Sequence, residues 1–181
     1  MFARVVATVI VTLAMSAPSW AAAAPEDYQV FQDVSKQVLR YPQFTIFDSV
    51  NAQVDDGVVT LSGKVTMPYK RNDIEKRIAR IAGVRQVNNE ITVLPVSQFD
   101  DELRFRISRA IYGNSNFWHY ASMVNPPIHI IVEHGRVTLE GVVNSNIDRM
   151  LARSIASSFD AFEVTNNLKT DAEAKAELEK I

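Results

Sequence analysis

Two patterns alternate along this chain, and their order repeats. Val30, Val34, Val38 and Leu39 recur at helical spacing, which puts them on one face of a helix. That run stops at Tyr41-Pro42, because the residue before proline avoids helical backbone. Strand-like alternation follows over 50–54, then an Asp55-Asp56-Gly57 turn and an alternating strand over 58–65. Pro68 suits the first turn of a second helix, in which Ile74, Ile78 and Ile81 form one apolar stripe. Gly83 is the expected C-cap, and 86–94 reads as a closing strand with Val87, Ile91 and Val93 toward the core.

The order then starts again. A helix opens at Asp100-Asp101-Glu102, carries Leu103, Ile107, Ala110 and Ile111, and ends at Gly113. Strands are expected over 128–132 and 136–143, a second helix striped by Ile147, Leu151 and Ile155, and a closing strand over 164–168. Gly57-Val58-Val59-Thr60-Leu61-Ser62-Gly63-Lys64-Val65 is echoed by Gly135-Arg136-Val137-Thr138-Leu139-Glu140-Gly141-Val142-Val143, 78 residues later. A fixed offset marks a duplicated unit. Glycine after an acidic step, before β-branched alternation, signals a hairpin because glycine takes positive φ freely. Gly57 and Gly135 are therefore assigned to turns, and Gly63 and Gly141 to strand ends. The predicted class is α+β: two tandem αββαβ units, over 27–95 and 99–170, each a three-stranded sheet covered on one face by two helices. A polar tail follows over 171–181, a short helix with Asp171 and Lys175 spaced to pair. A unit of roughly 65 residues buries a marginal core, so the two units are expected to touch.

Charge and composition narrow the setting. The chain has 181 residues and a net charge of −2, with no basic field to draw it to nucleic acid. Residues 1–24 read as a secretory signal peptide: Arg4, an apolar run over 5–14, then Ala17-Pro18-Ser19-Trp20-Ala21 and further alanines, with cleavage near 21 or 24. The run is too short for a permanent transmembrane span. There is no cysteine, which removes disulfides and lipidation on an N-terminal cysteine. The expectation is an exported, soluble protein without a lipid anchor.

No catalytic constellation is found. The glycines lack nucleotide-binding spacing, and no serine sits in a Gly-x-Ser-x-Gly elbow. His119, His129 and His134 lack metal-ligand spacing, and Asp55 and Asp56 read as solvated turn formers. Neither enzyme activity, cofactor nor metal is expected. Two surface features remain. Lys70, Arg71, Lys76, Arg77 and Arg80 are read as a basic face opposite the isoleucine stripe, either a solvated helix face or a contact for anionic headgroups. The segment 114–127 gathers Phe117, Trp118, His119, Tyr120 and Met123, with Arg104, Arg106 and Arg109 on the helix before it. Its aromatics suit a membrane interface, although large aromatics are more often buried, here over the second core or the seam between units.

The repeated motif resembles a known family. A helix, an acidic-x-Gly-x-Val-Thr-Leu-x-Gly-x-Val hairpin, a helix and a closing Val-x-Asn-x-Ile/Leu strand are similar to the BON domain of bacterial osmotic-stress and nodulation proteins. The first copy carries the motif in Asp55, Gly57, Val59, Thr60, Leu61, Gly63, Val65, Gly83, Val84, Val87, Asn89 and Ile91. The second carries it in Glu133, Gly135, Val137, Thr138, Leu139, Gly141, Val143, Val164, Asn166 and Leu168, with a longer loop and Ala161-Phe162 in place of Gly-Val. The resemblance implies a non-enzymatic periplasmic protein that binds phospholipid surfaces and supports the envelope under osmotic stress. The alternative partner is an envelope protein, engaged by the aromatic loop or an exposed sheet edge. Oligomeric state is left open.

Overall fold

The computed structural model describes residues 25–178; the predicted signal segment and the last three residues of the tail lie outside the described residues. The first unit runs α1 (Pro25–Leu39), β1 (Ser49–Asp55), β2 (Val58–Val65), α2 (Pro68–Ile78), β3 (Gln86–Asn89) and β4 (Thr92–Val93). The second runs α3 (Gln98–Tyr112), a 3-10 turn (Ser115–Phe117), α4 (Trp118–Ala121), β5 (Ile128–Glu133), β6 (Arg136–Val143), α5 (Asn146–Ala156) and β7 (Glu163–Thr170). The tail forms α6 (Asp171–Leu178). In each unit the second strand is central, antiparallel to the first and parallel to the closing strand. The α+β tandem architecture is as expected.

Each core lies between one sheet face and two helices. Val30, Val34 and Val38 of α1 and Ile74 and Ile78 of α2 pack on Val59, Leu61 and Val65. Leu103, Ile107 and Ile111 of α3 pack on Val137, Leu139 and Val143. Both hairpin turns place two successive residues at positive φ, Asp56 and Gly57, then His134 and Gly135, the geometry that matches strand twist. Asp27 and Asp100, at the starts of the first helices, each accept two turn N–H groups at 2.7–2.9 Å. The helix and its hairpin are thus tied by a repeated carboxylate.

Several sequence expectations need correction. Gly63 and Gly141 lie inside β2 and β6 rather than at their ends, with φ of +120° and +121°. A Cβ at Gly141 would overlap the carbonyl oxygen of Pro127. Gly141→Ala is therefore expected to destabilise the protein by about 1–3 kcal/mol, read as a lower urea midpoint; an unchanged midpoint would contradict the close approach. The closing strand of the first unit is split in two, with Ile91 buried and Val93 exposed. At the split, Asn89 folds back to accept from the Ile91 N–H. Ile147 is exposed, and Ala152 and Ala156 take the core positions of α5, because Asp148 at its start turns inward to Tyr120. The tail helix is held by Arg149–Glu173 and Lys169–Glu177, not by Asp171–Lys175.

The units touch along the segment before β1. The Ile46 carbonyl accepts from the Ile130 N–H at 2.7 Å, on the outer edge of β5. Phe47 meets Phe105 edge-on at 5.0 Å. Ser49 donates to Glu140, and Lys64 pairs with Glu133. Ile131, which is not part of the second core, is nonetheless 4% exposed.

Candidate functional site

The helices α1 and α2 lie side by side, and the spacing that turns Val34, Val38, Ile74 and Ile78 inward turns other residues into the groove between them. Lys36 and Arg40 come from the end of α1; Lys76, Arg77 and Arg80 come from the end of α2. Both sets sit where helix carbonyls are unpaired and cations are favoured. Asp33, Gln37, Asp73, Ile81 and Ala82 complete a groove of about 660 Å³. Five bases against two acids give it a charge of +3, in a first unit whose acids and bases balance as a whole.

The acids in the groove are already engaged. Asp33 takes hydrogen bonds from Gln29 and Lys36, which hold its carboxyl below the usual range. Tyr41 donates to Asp73 at 2.9 Å, and burial followed by that acceptor pushes the phenol up to about 12. Arg77 lies over the Tyr41 ring at 4.9 Å. Arg40, Lys76 and Arg80 make no side-chain ion pair or hydrogen bond among the described residues. Three cations thus remain available to an anion.

Two members of the expected basic face are elsewhere. Lys70 is 4% exposed, and its Nζ lies 2.6 Å from Asp48 Oδ2 and 2.7 Å from Thr66 Oγ1. It precedes Ile74 and Ile78 by four and eight residues, so helical geometry places it on the buried stripe. Arg71 donates to the Asn89 carbonyl and fastens α2 to β3. Lys36 and Arg40 were missed because nothing in their spacing says which helix lies beside α2. The only signal was the basic last turn of α1.

The aromatic segment divides in the same way. Phe117 and Tyr120 are core residues, 0% and 1% exposed, as the commoner fate of large aromatics implied. The Tyr120 hydroxyl accepts from the Asn144 N–H and donates to Asp148; burial raises it to about 12. Trp118 is 65% exposed. Arg104 is also buried: it pairs with Asp101 and donates to the Val132 carbonyl. Arg106 lies over the Phe159 ring. At the hairpin offset of 78, Leu151 and Ile155 stand where Asp73 and Arg77 stand in the first copy. Among the described residues, the second copy does not repeat that charged pair of the groove.

The BON domain model matches residues 29–95 and 100–172. The chain belongs to the BON domain family. No match is found among curated proteins. Among solved structures, it is similar to the C-terminal domain of CdsD, the structural protein of the type III secretion system of Chlamydia trachomatis. That match has 13% identity over 80% of this chain and 66% of that one, with a TM-score of 0.32. A second CdsD structure aligns at 12% identity over 83% of this chain and 97% of that one, with a TM-score of 0.30.

Proposed function

We propose that this protein is an exported, non-enzymatic component of the bacterial periplasm that binds anionic phospholipid surfaces and supports envelope integrity under osmotic or related stress. BON domains are associated with membranes and phospholipids and are in general non-catalytic. The observation that carries the reading is the convergence of five cations from two helix ends, three of them without a partner among the described residues. No helix of the described residues is long and apolar enough to cross a membrane, so contact through the groove is peripheral. Each cation near the headgroups contributes about 1 kcal/mol, screened by salt.

Co-sedimentation with vesicles containing phosphatidylglycerol is the test. Binding is expected at low salt, to weaken steeply as salt rises, and to be absent on phosphatidylcholine alone. Absence of binding at low salt removes the proposal. A protein-interaction module of the same compartment is the second reading, favoured by the exposure of Trp118. In that case Trp118→Ala abolishes partner capture and leaves vesicle binding unchanged.

A further inference from the structure

The two copies treat their first strands differently. Both β1 and β5 are sheet edges, and an open edge is a template for another backbone. In the second copy that edge is closed. The Tyr112 hydroxyl both donates to the Ile128 carbonyl and accepts from the Ile128 N–H. The Ile130 N–H is taken by Ile46, and the Val132 carbonyl by Arg104.

The registers Ile128↔Gly141 and Val50↔Gly63 make Val50, Ala52 and Val54 the counterparts of Ile128, Ile130 and Val132. Matching Asp27 with Asp100 makes Phe31 and Leu39 the counterparts of Arg104 and Tyr112. The two polar side chains that close one edge are therefore apolar in the other copy. No hydrogen bond among the described residues reaches Val50, Ala52 or Val54 from outside the β1–β2 pair. Phe31 and Leu39 instead line a cleft of about 900 Å³ between the units, together with Val50, Asn51 and Ala52 of β1. Phe44 and His129 also line it, and the far side carries Asn167, Lys169 and Glu177 from β7 and α6.

We propose that this cleft binds an extended peptide segment of another protein, added as a strand to the free edge of β1. Open backbone groups beside apolar side chains are the two elements of strand addition: the main chain supplies affinity, and alternate side chains supply selectivity. The bound segment alternates, with apolar residues toward Phe31 and Leu39 and polar ones toward Asn167 and Lys169. The second sheet and α6 wall the far side, which suits a single strand rather than the flank of another folded sheet. The site is independent of the basic groove, since α1 turns Lys36 and Arg40 to one and Phe31 and Leu39 to the other.

The probe is a fluorescently labelled heptapeptide of alternating valine and threonine, followed by anisotropy with the purified protein. Saturable binding is expected. Ala52→Pro, which removes an outward N–H at a position where an edge strand tolerates proline, is expected to weaken it by about tenfold. The double variant Phe31→Arg/Leu39→Tyr, which copies the closure of the second unit, is expected to abolish it. N-methylating alternate peptide bonds of the probe should abolish binding to the unaltered protein, a readout that needs no variant to fold. No saturable binding, or equal binding of the methylated probe, overturns the proposal. A dimer of the protein that disappears in Ala52→Pro, with no peptide bound, would put a second copy on the edge and overturn it too.

Discussion

Lys70→Met is expected to destabilise the protein by about 3–5 kcal/mol at neutral pH, the usual cost of leaving a buried charge without its partner. Asp48 is wholly buried, and both of its oxygens are occupied. Lys70 and Thr45 bond one, and the Thr66 N–H and hydroxyl bond the other. Burial alone would raise this carboxyl; the Lys70 ammonium and the threonine bonds outweigh it and hold Asp48 below the usual range. In the unaltered protein Asp48 therefore stabilises the fold above the ordinary carboxylate value of about 4, and that contribution is lost as pH falls through its lowered value.

In Lys70→Met the sign reverses. With the ammonium gone, burial raises Asp48, and the penalty is present at pH 7 and shrinks as acid protonates the carboxyl. Urea unfolding at pH 7 and pH 4.5 should show the gap between variant and unaltered protein narrowing with acidification. Asp48→Asn/Lys70→Met should recover much of the loss at pH 7. A gap that widens in acid would contradict the pairing. The second copy shows why the junction needs such a device. There Asn144 and Asp148 stand at the positions of Thr66 and Lys70, and the hydroxyl of Tyr120, from a different segment than Asp48, accepts the Asn144 N–H and donates to Asp148. One copy satisfies the N–H of the strand-to-helix turn with the carboxylate of an ion pair, the other with a neutral hydroxyl that accepts it and donates onward to Asp148.

Arg40→Gln/Lys76→Gln/Arg80→Gln is expected to weaken binding to phosphatidylglycerol vesicles by about 100-fold at low salt. Three charges near the surface at roughly 1 kcal/mol each amount to two decades of affinity. Stability should fall by at most about 1 kcal/mol through lost cation–helix-end attraction, so the variant remains folded for the assay. The control is Arg106→Gln/Arg136→Gln/Arg153→Gln, which changes net charge equally but lies in the second unit. Equal losses from both triples would mean that overall charge, not the groove, governs binding. The difference should vanish at high salt, because the attraction is screened.

Much of the fold was legible because it rests on local rules. The hairpin turns need residues that tolerate positive φ, and Asp56-Gly57 and His134-Gly135 announce them. The valines and isoleucines at helical spacing became core wherever their stripe faced the sheet. The candidate site was less legible because a face is a shared property of several elements. Lys70 was assigned to the surface by its charge, although it shares the buried stripe with Ile74 and Ile78. Phe117 and Tyr120 looked like companions of Trp118, yet their spacing of three positions turns both inward and leaves Trp118 out. Nothing beside Asp27 or Asp100 in the chain marks either as the holder of a distant hairpin turn; that contact exists only once helix and hairpin meet.

By itself the sequence determined the duplication, the αββαβ order that the two copies share and the family, because periodicity and turn chemistry depend on neighbours along the chain. Only the tertiary structure decided where charge and apolar surface gather. It set the ends of α1 and α2 together as one basic groove, closed the edge of β5 with Tyr112, Ile46 and Arg104, and left that of β1 open beside Phe31 and Leu39. Those outcomes depend on which groups approach through space, and residues far apart in the chain carry no local mark of it.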